Sequence, residues 1–363
     1  MNELDRLRAE INETDAEMAA LFERRMNAAR DVAAYKKERG LPVYDAEREA
    51  KVVERNLGLI RDPDLRGYYA DFITHTMKVS RDYQNSIISG VRVAYSGVEG
   101  AFASIAAKKL FPKGRFLPCR DFEAAYGAVV SGDCETAVLP IENSYAGEVG
   151  AVIDLIFNGP LYINDTYELT VRQNLIGVPG ATEETVKKVV SHPQALSQCA
   201  EYIRARGYET EEYSNTAAAA KYVSEKADPS LAAIGTVEAA ELYGLSVISR
   251  SINTGRDNTT RFAVLSRNKN DAEHTGDRFF LVFTVSNRAG ALAEAINIIG
   301  KYGYNMSALH SRPVKNLPWQ YYFYIEGEGD VMSGNGTAMM KELTHVCGML
   351  RLIGSYKGGK CSV

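Results

Sequence analysis

From Leu4 to Arg39 the chain runs 36 residues without a glycine or a proline. Within that run Leu4, Leu7, Ile11, Met18, Leu21, Ala28 and Val32 mark a stripe at three-four spacing, which predicts one long amphipathic helix. At 1.5 Å per residue such a helix would be about 54 Å long, more than a small domain covers by itself. Two shorter helices could line it, but an intertwined dimer hides the seam better. Arg25 falls on the stripe where an aliphatic side chain is expected. Lys36, eleven residues on, lies only about 20° around the helix and shares the face. Burying a cation without a partner is costly, so the seam demands carboxylates, from the protein or from a small anionic ligand.

With 363 residues, two or three domains are expected. The apolar and charged fractions, 45% and 24%, are those of soluble globular proteins. A net charge of −4 with no basic block and no zinc pattern argues against nucleic acid as a partner. No apolar run reaches transmembrane length and the N-terminus is charged, so no membrane role and a cytoplasmic location are expected. Cys119, Cys134, Cys199, Cys347 and Cys361 are odd in number, scattered and never in a CxxC, which reads as buried or idle thiols in a reducing compartment.

Three textures follow one another. Residues 1–88 read as an all-helical bundle, with breaks at Gly40-Leu41-Pro42 and near Asp62-Pro63. A second helix is expected from Asp45 to about Leu59. A third is expected from about Asp64 to Ile88, with Leu65, Tyr69, Phe72, Ile73, Thr76 and Met77 inward. Residues 91–268 alternate short β-rich runs (Val91–Tyr95, Thr136–Pro140, Arg261–Leu265) with helices (Ala101–Leu110, Leu196–Ala205, Ala217–Lys226), which predicts an α/β architecture in two lobes. Ligands in such sheets gather at carboxyl ends of strands and at helix N-termini. After a polar linker, Arg267–Asp277, residues 278–358 read βαββαβ, a ferredoxin-like α+β module whose second helix is expected at Ala338–Val346.

In the helical segment Ser80 and Gln84 share the third helix's apolar face, and Asp45, Arg48 and Glu49 open the second helix. One account is an internal salt-bridge network in which Asp45 and Glu49 answer Arg25 and Lys36. The pattern Arg8, Glu23-Arg24-Arg25, Lys36, Pro42-Val43-Tyr44-Asp45-Ala46-Glu47-Arg48-Glu49 and Ser80 to Gln84 resembles the all-helical chorismate mutases over about residues 4–88. That resemblance implies rearrangement of chorismate to prephenate without a cofactor. Arg25, Arg48 and a further arginine would clamp two carboxylates. Lys36 and Gln84 would donate to the ether oxygen as charge builds on it, and Glu49 would hold the ring hydroxyl. Asp45 and Ser80 complete the expected set. Arg8 is about 25 Å along the helix from Arg25, so the role the resemblance implies for it requires a second copy of the chain.

In the middle segment Pro140-Ile141-Glu142-Asn143-Ser144-Tyr145-Ala146-Gly147, Ser191-His192-Pro193-Gln194 with Gln198 and Cys199, Asn215-Thr216, and Asn258-Thr259-Thr260-Arg261-Phe262 are individually consistent with caps and turns. Together and in this order they resemble prephenate dehydratase over about residues 91–268, with two lobes like a periplasmic binding protein. The resemblance implies loss of carbon dioxide and hydroxide from prephenate, with Thr260 donating to the leaving hydroxyl and Arg261 attracting a carboxylate. Glu142 is the alternative acid. Asn143, Ser144, Ser191, Gln198 and Thr216 are candidates for holding substrate, and His192 ranks low as a proton donor.

Residues 279–356 resemble an ACT domain, a module that binds amino acids between copies. Asn287-Arg288-Ala289-Gly290-Ala291-Leu292 and His310-Ser311-Arg312-Pro313 correspond to the phenylalanine-binding runs of the dehydratases, with Ala293 for a usual valine and His310 for a usual glutamate. Gly290, Ala291, Leu292, Ser311, Arg312 and Pro313 are the expected regulatory residues, with phenylalanine the effector. The overall expectation is a homodimer or higher homo-oligomer with both activities and no cofactor or metal. Two alternatives are a dehydratase, for prephenate or arogenate, with a non-catalytic helical dimerisation bundle, and a ligand sensor without chemistry.

Overall fold

The computed structural model describes residues 2–254, 258–270, 276–314 and 320–358. Cys361, part of the expected linker and Pro318-Trp319, a corner that the chain shares with the dehydratases it resembles, lie outside the described residues. Helix α1 (Glu3–Glu38) begins at a capping box in which Asn2 and Asp5 satisfy each other's backbone N–H groups. It ends just before Gly40, whose φ of 63° suits a residue without Cβ. Helix α2 (Ala46–Leu57) is capped by Asp45, and α3 (Arg66–Ser89) follows a single 3-10 turn at Pro63–Leu65. These helices form one compact unit, residues up to Val91 with Lys113–Arg115; the rest of the chain forms another.

Only Ala29 and Ala33 of α1 are buried, against Ile73, Met77 and Ser80 of α3. The apolar stripe itself stays open: Leu4, Leu7, Ile11, Met18 and Leu21 are 43–59% exposed. Leu65 and Phe72, expected inward on the third helix, are also exposed. A single α3 is too short to cover a helix of 36 residues.

The larger unit opens with β1 (Arg92–Ser96), α4 (Phe102–Leu110), β2 (Arg115–Cys119), α5 (Phe122–Val130), β3 (Thr136–Asn143), β4 (Gly147–Glu148), α6 (Gly150–Asn158) and β5 (Tyr162–Thr170). A second lobe holds β6 (Asn174–Gly177), β7 (Lys188–Ser191), α7 (Pro193–Gln198), α8 (Ala200–Arg206), β8 (Glu209–Glu212), α9 (Thr216–Lys226), β9 (Leu231–Gly235), α10 (Val237–Leu242) and β10 (Ser246–Ser249). Strand β11 (Thr259–Ser266) then returns to the first lobe, between β3 and β5 in the order β2-β1-β3-β11-β5. The second sheet runs β10-β6-β9-β7-β8. The helix expected over Leu196–Ala205 is in fact two, because Cys199 leaves the helical region at φ −109°, ψ 12°.

The C-terminal module is β12 (Arg278–Val285), α11 (Ala291–Lys301), β13 (Asn305–Pro313), β14 (Tyr321–Glu328), α12 (Gly334–Leu343) and β15 (Cys347–Tyr356), with sheet order β13-β14-β12-β15. Helix α12 starts earlier than expected, because Ser333 caps it through Gly336 N–H and so tolerates two glycines in the first turn. One face of this sheet packs on α11 and α12. The other joins the first lobe in a single hydrophobic core containing Tyr322, Tyr324, Ile353 and Tyr356 beside Ile141, Ile156 and Ile163. The Phe157 and Tyr322 rings stack at 3.8 Å across this junction. No helix among the described residues is long and apolar enough to cross a membrane.

Gly354 of β15 lies so close to β5 that a Cβ there would sit 2.0 Å from the Ile163 carbonyl oxygen. Gly354→Ala should therefore destabilise the larger unit by about 1–3 kcal/mol, read as a lower melting temperature by calorimetry. An unchanged melting temperature would mean that the sheet does not dock there.

Burial pushes the Cys199 thiol up to about 12 and the Cys134 thiol to about 11, from 9.0. Because the folded values are raised, the stability tied to these groups is complete below 9.0 and is lost as pH climbs toward 11 and 12. Iodoacetamide at mildly alkaline pH should leave both unlabelled in native protein and label both in urea; rapid native labelling would contradict this burial.

Candidate functional site

The helical unit holds a cleft of ≈ 250 Å³ whose polar lining consists of Arg25, Lys36, Arg48, Arg81, Asp45, Glu49, Ser80 and Gln84. Four cations thus face two carboxylates. The internal salt-bridge network, one of the two accounts of these residues, does not form: among the described residues no carboxylate pairs with Arg25, Lys36 or Arg48. Arg25 instead donates to the Ser80 hydroxyl and to the Thr76 carbonyl at 3.4 Å, and burial lowers its guanidinium from its ordinary value. Lys36 Nζ donates to the Val43 carbonyl at 2.7 Å, leaving two of its hydrogens free. Asp45 accepts the Arg48 N–H at 3.0 Å as helix cap. Gln84 Oε1 is buried with no donor.

Glu49 is ion-paired with Arg81, a residue absent from the sequence expectation. Its only signal was a cation next to Ser80 on a helix already expected to line the site. Arg8 is exposed on α1 and takes no part in this cleft.

Between the lobes of the larger unit lies a second cleft, of ≈ 300 Å³, lined by Asn143, Gln173, His192, Gln198, Asn215, Thr216, Asn258 and Thr260 with Phe102 and Phe122. Its centre is the Asn143 amide. Oδ1 of Asn143 accepts Tyr145 N–H at 3.1 Å and Ala146 N–H at 2.9 Å. Its Nδ2 donates to Asn258 Oδ1 at 2.8 Å and Thr260 Oγ1 at 2.9 Å. Thr260 therefore accepts from the protein, and its own hydroxyl hydrogen has no acceptor among the described residues. Gln173 Nε2 donates to Gln198 Oε1 at 3.3 Å, while Gln173 Oε1 and Asn258 Nδ2 are buried without partners. His192 Nδ1 accepts Gln194 N–H at 3.2 Å, occupying one ring nitrogen as a cap.

Of the expected prephenate residues, Asn143, Gln198, Thr216 and Thr260 line this cleft, and four do not. Glu142 and Arg261 pair across β3 and β11 one position along from Asn143 and Thr260, so strand alternation turns them to the opposite face. There Arg261 is held by Glu142 at 2.9 Å and by Glu326 of the C-terminal module at 2.5 Å. Ser191 is buried and donates to the Ile234 carbonyl at 2.8 Å. Ser144 accepts Thr259 N–H at 2.9 Å and braces the start of β11. Gln173 and Asn258 are absent from the expected site residues; Asn258 opens the run Asn258-Thr259-Thr260-Arg261-Phe262, while Gln173 carries no sequence signal beyond one polar residue beside an apolar strand.

Among the described residues no lysine or arginine lines this second cleft. The N-termini of α4 (Ala101, Phe102) and α9 (Asn215, Thr216) lie at this cleft, and their helix dipoles supply positive potential there.

A third cleft, of ≈ 610 Å³, is lined by Asn287, Arg288, Ala291, Leu292, Tyr321 and Phe323 among others. Gly290 precedes α11 with φ 83°, a conformation that favours glycine. Ser311, Arg312 and Pro313 on β13 are not among its lining residues. Arg312 turns toward the first lobe, where it meets Glu148 and, at 2.8 Å, Asp154. Tyr322 donates to Asp154 at 2.8 Å and Tyr324 to Glu148. The two expected regulatory runs are thus not brought together within one chain.

Residues 93–270 match the family described as prephenate dehydratase, and residues 7–85 match chorismate mutase type II. The bifunctional chorismate mutase/prephenate dehydratase of Neisseria gonorrhoeae is 30% identical over 95% of this chain and 94% of its own. The chain belongs to the bifunctional chorismate mutase/prephenate dehydratases. The Escherichia coli member is 29% identical over 98% of this chain and 96% of its own. The crystal structure of prephenate dehydratase from Arthrobacter aurescens in complex with L-Phe has a TM-score of 0.68, with 28% identity, over 75% of this chain and 92% of that one.

The two clefts should be separable by mutation. Lys36→Ala should lower the mutase kcat/KM by about 10²–10³ and leave dehydration of supplied prephenate unchanged. Thr260→Ala should lower dehydration by about 10²–10³ and leave the mutase unchanged. A Lys36→Ala protein that rearranges chorismate at the wild-type rate would remove Lys36 from the site.

Proposed function

We propose that the helical cleft grips chorismate and the interlobe cleft then converts prephenate to phenylpyruvate. What carries this reading is the set of cations Arg25, Lys36 and Arg48, which face one cleft with no carboxylate partner among the described residues. Arg25 and Arg48 take the two carboxylates, favouring the compact reactive conformer. Lys36 and Gln84, whose side chain no hydrogen bond holds among the described residues, donate to the ether oxygen as its bond breaks. Glu49, oriented by Arg81, accepts from the ring hydroxyl.

In the second cleft the α4 and α9 termini attract the carboxylates of prephenate. The Thr260 hydroxyl hydrogen stabilises departing hydroxide while carbon dioxide leaves from the opposite ring carbon. A threonine is a weak acid, so its contribution is a hydrogen bond rather than a completed proton transfer. Neither step uses a cofactor.

The active mutase is a homodimer in which Arg8 completes the partner's cleft. The exposed stripe on α1 supports this: apolar surface of that length is hidden by a second copy. Phenylalanine acts as feedback inhibitor at the C-terminal, ACT-like module, between copies. Its carboxylate meets backbone N–H groups after Gly290, where Ala291 and Leu292 already line a cleft. Arg312, committed to Glu148 and Asp154, braces the module rather than the ligand. The net charge of −4 and the absence of a long apolar run support a cytoplasmic location.

Mixed dimers test this directly. Arg8→Ala and Lys36→Ala proteins should each be nearly inactive as mutases. Unfolded and refolded together in equal amounts, they should recover roughly a quarter of wild-type activity, since half the dimers are mixed and each holds one intact site. Mutase activity no higher than the average of the separate variants would rule out a shared site. Ultraviolet monitoring of phenylpyruvate in the same preparation, with and without phenylalanine, tests the second reaction and its inhibition.

A further inference from the structure

Thr260 and Arg261 are neighbours on β11 and face opposite ways. The side turned from the cleft is where the C-terminal module docks, and there Glu326 of β14 is only 1% exposed. Its Oε2 accepts Arg261 Nη1 at 2.5 Å. Its Oε1 accepts the Tyr356 hydroxyl at 3.0 Å and lies 3.6 Å from Arg278 Nη1. A register irregularity interrupts the β3–β11 ladder between Arg261 and Phe262. Thr260 sits on the short end of β11 before that irregularity on the β3 side, while on the other side the β5 ladder runs in register from Thr259 to Val264.

We propose that Glu326 is a positioning residue of the dehydratase reaction. Through Arg261 its carboxylate sets the angle of this strand end, and so the direction in which Thr260 presents its hydroxyl hydrogen to the leaving group. The C-terminal module thereby completes the dehydratase site. Strand β14 also carries the means of regulating it. Tyr322, Tyr324 and Glu326 turn toward the first lobe, while Tyr321 and Phe323 line the cleft beside Ala291 and Leu292. A ligand that shifts β14 moves Glu326 and, with it, Thr260. The proposal rests on the reading of Thr260 given above.

The test uses full-length Glu326→Gln, Tyr356→Phe and the double variant Arg261→Gln/Glu326→Gln. We expect Glu326→Gln to lower kcat for prephenate by about tenfold or more with little change in KM, and Tyr356→Phe to lower it less. The mutase rate of each preparation should stay at the wild-type value. Removing both charges in the double variant should raise the melting temperature above that of Glu326→Gln while kcat stays low. A purely structural role would return kcat together with the melting temperature, and that result would overturn the proposal. Tyr356→Phe keeps the buried ion pair, so it reports even where Glu326→Gln does not fold; wild-type kcat in Tyr356→Phe would likewise overturn the proposal. Wild-type protein that releases no phenylpyruvate would instead refute the reading of Thr260 itself.

Discussion

Taking a guanidinium out of water costs several kcal/mol unless an anion comes with it. In the larger unit the chain supplies that anion. Arg261 lies between Glu142 and Glu326, and Arg312 between Glu148 and Asp154. In the helical unit Arg25 receives only a hydroxyl and a carbonyl. The first arrangement is closed and locks two modules around one core; the second is open and invites a dianion. On the function proposed above, the same residue type is scaffold in one unit and binding site in the other, and the difference lies in whether acids surround it.

The two clefts follow different electrostatic strategies, each suited to its reaction. Claisen rearrangement of chorismate separates charge within one small molecule, and on the proposed reading the fixed cations of the helical cleft act where that charge develops. Prephenate is driven forward by aromatisation, and what must be helped is departure of hydroxide. On the proposed reading, the helix ends and the amide and hydroxyl groups described in the second cleft give that help without a field so strong that the substrate carboxylate is stabilised against leaving as carbon dioxide. The Asn143 amide, satisfied at both ends by backbone and side chains, fixes Thr260 as a donor by occupying its oxygen.

Much of the fold was legible because its signals were local. Gly40-Leu41-Pro42 and Pro63 punctuate the helical segment, and the three expected helices fall within about two residues of α1, α2 and α3. The apolar cores of β1, β3 and β11 stood out similarly. Helix α6 did not, because Ala151-Val152-Ile153-Asp154-Leu155-Ile156-Phe157 is too uniformly apolar for periodicity to decide its type. The mutase residues converged as expected, since helical spacing places side chains on a face. Arg81 was missed because its value comes from Glu49, a partner on another helix.

Glu142 and Arg261 fall outside the second cleft for one physical reason. Along a strand, sequence neighbours point to opposite faces, so a run such as Thr260-Arg261 or Glu142-Asn143 cannot all line one cleft. Each of these pairs divides its labour: Thr260 and Asn143 toward the interlobe cleft, Arg261 and Glu142 toward the docked module. Tyr322 and Phe323 divide theirs likewise, the first into the shared core and the second beside the third cleft. A motif written on strands therefore joins two functions across the thickness of a sheet. The side chain beside the reacting residue is the one best placed to connect it to another module.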